Sequence, residues 1–426
     1  MLIKKIFNFL LTKKNYGNLL IDQAIVSAGN FTLSIIILRF LGIEVFGLFS
    51  FLWLLLLLIN SIQLSYIISP MLTNAPKQDN SKINFFYGGI FLQQVVFSIS
   101  SCLITFFIIR SFGNFISAFP IYEYCTSFSL LIVFTQLQQF FRRLFFSKKL
   151  YLRAIISDLS TYFLIITFII YFNYLDKLNL QIVFWSFTIA FLIGTIISFP
   201  IIFTLNYKLK NTFASIKENW IIAKWMLLTS LVSWFSGNLW VVNAGLILGP
   251  YIFGIFRACQ TLLNILNLIF QSLENIIPMK ASEIYSSSSV NNMRIFLRKF
   301  TTKGFLVVSI ISFIIILCSK FLLNVFYGAE TSNYYQYLIY LSLILPITFL
   351  TYPSTYGLRT IEKTKPIFIS FLLSSIFAIL LSRYVIMQFQ LNGLIAGLFL
   401  SQAIIASCLY FSFLFYIKSK KKIDFK

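Results

Sequence analysis

Eight polar residues share one short stretch of an otherwise apolar sequence: Arg257, Gln260, Thr261, Asn264, Asn267, Gln271, Glu274 and Asn275. Their steps of three and four place them in one stripe along a helix. A charge at the middle of a membrane helix costs about 2.5–3.5 kcal/mol even on the lenient insertion scale. Such a stripe is expected to face a bundle interior or water. A guanidinium can grip phosphate oxygens in pairs. Side-chain amides donate and accept, which suits sugar hydroxyls. Anion and polyol binding is therefore the chemistry these residue types could perform. The plainer alternatives are an interhelical ion pair or carbonyl contact for Arg257, and interhelical hydrogen bonds for the amides.

Other chemistry is excluded or disfavoured. The chain contains no histidine, which removes imidazole bases and imidazole metal ligands. Its five cysteines are scattered without CxxC spacing, so neither disulfides nor a zinc site is expected. No GxxxxGK[ST] phosphate loop is present, so ATP hydrolysis by this chain is not expected. No catalytic residue, cofactor or metal is assigned. A membrane polysaccharide polymerase or glycosyltransferase would resemble its family by a long external loop. Here the external loops are short, and their carboxylates are few (Glu44, Asp176, Glu330).

The elements that must position the stripe are long and apolar. Of 426 residues, 59% are hydrophobic and 11% charged, against roughly a quarter charged in soluble domains. Runs of membrane-spanning length fall near 18–40, 45–68, 84–109, 121–141, 154–174, 180–204, 222–247, 251–277, 300–322, 335–357, 366–387 and 391–416. The fold class read from this is an all-α polytopic membrane protein of about twelve spans. The net charge of +22 sits mostly on alternate loops, which follows the positive-inside rule and places both termini in the cytoplasm. It is read as topology and lipid attraction, not nucleic-acid binding. The segment 1–17 reads as a basic amphipathic helix on the inner membrane surface. Residues 18–207 read as a first six-helix lobe, 208–221 as a cytoplasmic linker, 222–417 as a second lobe, and 418–426 as a basic tail.

The two lobes echo each other. "LGIEVFGLF" at 41–49 returns as "LGPYIFGIF" at 248–256, "SAGN" at 27–30 as "FSGN" at 235–238, Gln63 as Gln271, and "PM" at 70–71 as "PM" at 278–279. An even number of spans per repeat gives parallel repeats, two bundles around a central cavity. Gly42 and Gly249 are expected to cap helices between spans. Pro70 and Pro278 are expected to end theirs.

The "R-x-LG-x-x-x-FG-x-F" phrase, its second copy, and the basic turn "RLFFSKK" after the fourth span resemble the Wzx-type polysaccharide flippases. These are members of the multidrug/oligosaccharidyl-lipid/polysaccharide exporter superfamily. The second copy departs from the first, with Pro250 in place of Ile43 and Arg257 in place of Ser50. The resemblance implies a transporter of the bacterial inner membrane. Its substrate would be a polyprenyl-diphosphate-linked oligosaccharide of a surface-polysaccharide (O-antigen, lipopolysaccharide or capsule) pathway, moved by alternating access. Polymerase and glycosyltransferase partners are implied with it. Arg257 is then the candidate diphosphate contact. Gln260, Asn264, Asn267, Gln271, Asn30, Asn60 and Gln63 are candidate cavity residues, and the seventh span offers Ser233, Gly237, Trp240 and Asn243 or Ala244. Asp22 and Glu274 are candidate carboxylates for a coupling proton or sodium ion. For Asp22 the alternative is a helix start at the interface; for Glu274 it is a pair with Lys280. The competing reading in the same superfamily is a cation-coupled drug exporter.

Overall fold

A computed structural model describes residues 14–79, 82–113, 119–207, 209–264 and 267–424. The interfacial helix expected over residues 1–17 lies mostly outside them. The described chain is helical almost throughout. In order, α1 is Lys14–Gln63, α2 Ser69–Asn74, α3 Ile83–Phe112, α4 Cys125–Ser147, α5 Tyr151–Tyr174 and α6 Leu180–Ser198. Then come α7 Leu209–Asn264, α8 Asn267–Ser287, α9 Val290–Tyr327, α10 Ala329–Ser332, α11 Tyr335–Thr360 and α12 Lys365–Asp424.

Among the described residues, eight stretches are long and apolar enough to cross a membrane. Three of them, Ile21–Lys77, Ser215–Asn264 and Lys365–Ile417, are 50 residues or longer, while one crossing needs only about 20. Each bends at a single non-helical residue: Gly42, Gly249 and Gln390. Counting those stretches twice, with α4 added, recovers the twelve crossings. The helix of the fourth crossing is polar on one face (Thr135, Gln136, Gln138, Arg142), which keeps its mean hydropathy low.

The repeated glycines adopt the same backbone. Gly42 has φ 83° and ψ 172°; Gly249 has φ 81° and ψ 173°. That region is open essentially to glycine alone. The echo in sequence is thus an echo in conformation, a break that lets one span end and the next begin. A Cβ at either position would meet no atom within 4 Å, so substitution costs backbone strain alone. Gly249→Ala is expected to lower stability by about 1–3 kcal/mol, read as thermal unfolding of the detergent-purified protein. Unfolding at the parent temperature would mean the phrase makes no conformational demand.

Neither proline ends its helix. Pro70 follows a π-helical turn, Leu64–Ile68, and the helical run continues through α2 to Lys77. Pro278 lies inside α8, which runs on to Ser287. The expectation that each ends its span is corrected. Within a bundle, neighbouring groups and local adjustment tolerate the missing N–H. Residues 209–221, expected as a linker, are the first turns of α7.

The chain forms two compact units, dividing between Leu231 and Val232. Each has its own core at the end rich in basic loops. In the first unit, Ile67, Met71, Phe86, Phe140, Phe141 and Leu144 pack together. In the second, Met293, Leu297, Phe349, Tyr356, Leu409 and Phe413 do so. Large apolar side chains also point outward, such as Phe107, Phe163, Leu317 and Leu380. That much exposed apolar surface fits lipid, not water. The start of α7 packs on the first unit, where Asn74 donates to Asn219 at 2.8 Å and the Ser61 and Ser230 hydroxyls are 2.6 Å apart.

Candidate functional site

The first unit holds a buried ion cluster. Asp22 on α1, Arg142 on α4 and Asp158 on α5 all have side chains at most 6% exposed. Arg142 Nε donates to Asp22 Oδ2 at 2.8 Å and lies 2.9 Å from Asp158 Oδ2. Its Nη2 makes a second, short bond to Asp22. Gln138, one turn before Arg142, donates to Asp158 Oδ1 at 3.2 Å and Thr161 Oγ1 at 2.9 Å. Ser157 and Ser198 extend the network to α6. Close approach depends on small residues: a Cβ on Gly194 would sit 2.3 Å from Thr161 Oγ1, and one on Gly29 would sit 2.3 Å from the Tyr162 ring.

Two carboxylates thus share one guanidinium. With both ionised these three groups alone carry a surplus negative charge, and the half-buried Arg143 lies close enough to act electrostatically on both carboxylates. Such a charge away from water is expensive unless neutralised. Asp22 Oδ1 and Gln138 Oε1 are buried without a hydrogen-bond partner. The arrangement can accept one proton or one monovalent cation.

Asp22 was singled out by sequence, but not its partners. Arg142 reads as part of a basic turn and Asp158 as a helix-start residue. The available signal was the pairing of Gln138 with Arg142 and of Ser157 and Asp158 with Thr161, one turn apart on adjoining spans.

A second network takes up Gln63 and Asn60, two residues assigned to the cavity, while a third, Asn30, stays exposed and bonds separately. Gln63 donates to Gln94 Oε1 at 2.9 Å and to the Gln136 carbonyl at 2.7 Å. Gln136 makes a short bond to Asn60, and Gln94 donates to Ser98 at 2.8 Å. Asn30 accepts from Tyr162 at 3.2 Å. Gln63 is 1% exposed, so its part here is interhelical. Gln63→Leu would leave the Gln94 amide oxygen and the Gln136 carbonyl without this donor. The expected cost is about 1–3 kcal/mol, measured as thermal stability. An unchanged melting temperature would show that this network adds nothing.

The second unit places Arg257 on α7, eight residues past the Gly249 break. Its Nη1 donates to Gln260 Oε1 at 2.5 Å, and its Nε is buried with no hydrogen-bond partner. Among the described residues, the ion pairs are those of Lys82 with Asp79 and of Arg142 with Asp22 and Asp158. None involves Arg257. Thr261 donates to the Arg257 carbonyl at 2.8 Å, and Asn264 is exposed. The side chains of Asn267, Gln271 and Glu274 lie outside the described residues, so the lower stripe is located by helix register alone.

The seventh-span face expected to line a cavity instead packs inward in part. Trp240 is fully buried and donates to Ser401 at 3.0 Å, and Asn243 donates to Ser382 at 2.5 Å. Ser236 donates to Ser374 at 2.8 Å. Gly397 admits the Trp240 ring, because a Cβ there would lie 2.2 Å from it. Gly237 of that face is exposed with open space around it, and Ser233 and Asn243 are partly buried.

No family model matches the chain, and no curated protein matches it by sequence. Solved structures do. An inward-facing multidrug resistance MATE family transporter of the MOP superfamily aligns with TM-score 0.75 at 13% identity, covering 96% of this chain and 99% of that one. The lipid II flippase MurJ, in an inward closed conformation, aligns with TM-score 0.71 at 14% identity over 92% and 86%. A MOP superfamily transporter from Pyrococcus furiosus, described as having a binding pocket of reverse polarity, aligns with TM-score 0.67 at 12% identity over 95% and 94%. This chain shares the polytopic membrane fold of these MOP superfamily transporters.

Proposed function

We propose that the protein moves a polyprenyl-diphosphate-linked oligosaccharide repeat unit from the inner to the outer leaflet of a bacterial cytoplasmic membrane, by alternating access, for surface-polysaccharide assembly. One observation carries this reading. Arg257 is a membrane-embedded guanidinium with no carboxylate paired to it among the described residues. A diphosphate supplies the missing countercharge and matches guanidinium geometry. Gln260 and Asn264, with Asn267 and Gln271 following at helical spacing in the sequence, offer amides for sugar hydroxyls. One structural neighbour, a lipid II flippase, supports a lipid-linked substrate class. The drug-exporter reading draws on the MATE neighbours, but a cation would meet the Arg257 charge.

The energy source in this reading is ion coupling at the first unit. In this reading Asp22 and Asp158, which share Arg142, are the groups that take up a proton or sodium ion in the transport cycle. Glu274 remains the second candidate. Polymerase and glycosyltransferase partners would meet the basic, cytoplasmic face.

Depleting the protein and mapping lipid-linked glycans by mass and membrane side tests the assignment. Single repeat units are expected to accumulate on the cytoplasmic face. Units reaching the outer face unpolymerised would place the protein after translocation. Unchanged glycans would favour drug export.

A further inference from the structure

Away from both polar clusters, a groove of about 620 Å³ runs along the outside of the second unit, between the arms of α12 on either side of Gln390. One wall starts at Pro366 and Ile369; the other runs from Ser407 through Phe411 and Phe415 to Tyr416. Ile369, Phe411 and Phe415 are 49%, 67% and 67% exposed. The small residues Ser407 and Ser412 leave the depression between them.

Length and charge identify the occupant. Ser407 to Tyr416 is about 14 Å of helix at 1.5 Å per residue, the depth of one leaflet of an approximately 30 Å hydrocarbon core. Residues 366–382 and 391–417 contain no charged residue. The Tyr416 end is basic. Lys363 Nζ lies 5.7 Å over the Tyr416 ring, Lys365 is exposed beside it, and Lys418, Lys420, Lys421 and Lys422 follow in sequence. The acidic residues adjoining these lysines in sequence are Glu362 and Asp424. An apolar trench one leaflet deep with cations at one end has the shape of a phospholipid. A polyprenyl carrier chain would overrun it.

We propose that this groove holds one acyl chain of an anionic phospholipid, with the phosphate against Lys363 and Lys365. Basic clusters at the cytoplasmic end of membrane helices attract anionic head groups. The inference is independent of what Arg257 contacts.

The test uses full-length protein in phosphatidylcholine nanodiscs doped with phosphatidylglycerol carrying a photoreactive acyl chain. Labelled peptides are mapped by mass spectrometry. Labelling is expected to concentrate on 366–370 and 407–416 and to vanish in Ser407→Trp, which fills the groove. Lys363→Ala and Lys365→Ala lie at the exposed surface and leave the fold intact. Each is expected to lower labelling about fivefold. Even labelling of all lipid-facing helices would overturn the proposal. So would equal labelling by a phosphatidylcholine probe, or preferential labelling by a photoreactive polyprenyl phosphate. None of these readouts measures transport, so loss of the flippase reading would leave them standing.

Discussion

Arg142→Leu is expected to destabilise the protein by about 3–5 kcal/mol, the usual consequence of removing one partner from a buried ion pair. The substitution strands Asp22 and Asp158 together, both nearly inaccessible to solvent. The lost Asp22 pairing joins α1 to α4, and the lost Asp158 contact joins α4 to α5. Thermal unfolding in detergent measures the loss. Because the single variant is expected to express poorly, the triple variant Asp22→Asn, Arg142→Leu, Asp158→Asn gives the second reading. Neutralising the whole cluster removes the stranded charges, so most of the stability is expected to return. A stable single variant would contradict the cluster. A triple variant no better than the single would show that the cost is packing, not charge.

Arg257→Ala is expected to do the opposite to stability and far more to transport. No acidic partner is left behind among the described residues, and one unpartnered buried N–H disappears. The fold should melt at the parent temperature or above. If the guanidinium grips the diphosphate, its loss removes charge-assisted hydrogen bonds worth about 1.5–3 kcal/mol, or roughly 10- to 100-fold in substrate translocation. Arg257→Lys keeps the charge but not the fork, and should fall between. Complementation of a depleted strain, scored by surface glycan and by accumulated lipid-linked units, measures this. Full activity in both variants would remove Arg257 from the substrate path. Loss of stability in Arg257→Ala would make it a structural residue.

These two arginines also show what sequence could and could not reveal. The spans, the duplication and the special glycines follow from local pattern. Hydropathy sets span length, and the Leu-Gly pairs at 41–42 and 248–249 recur where a positive φ is needed. Arg257 stood out because it interrupts an apolar run. Arg142 did not, because it borders a basic turn beside Arg143, Lys148 and Lys149. Its role depends on Asp22, 120 residues away, and no local pattern encodes that pairing. For Gln63 and Trp240 the partner was illegible for a related reason. A polar or aromatic residue on an apolar helix can face water or another helix, and helical register alone does not choose. Gln63 meets Gln94 and Gln136, and Trp240 meets Ser401, each across a different helix.

The most direct test of the central claim is a sidedness assay in proteoliposomes. The purified protein is reconstituted with a polyprenyl-diphosphate-linked oligosaccharide, and glycan exposure is followed with a membrane-impermeant glycosidase. The account expects transbilayer movement above that of protein-free vesicles, lost with Arg257→Ala. It also expects the rate to respond to a proton or sodium gradient. Movement at the protein-free rate, with the protein folded and a gradient imposed, would contradict it.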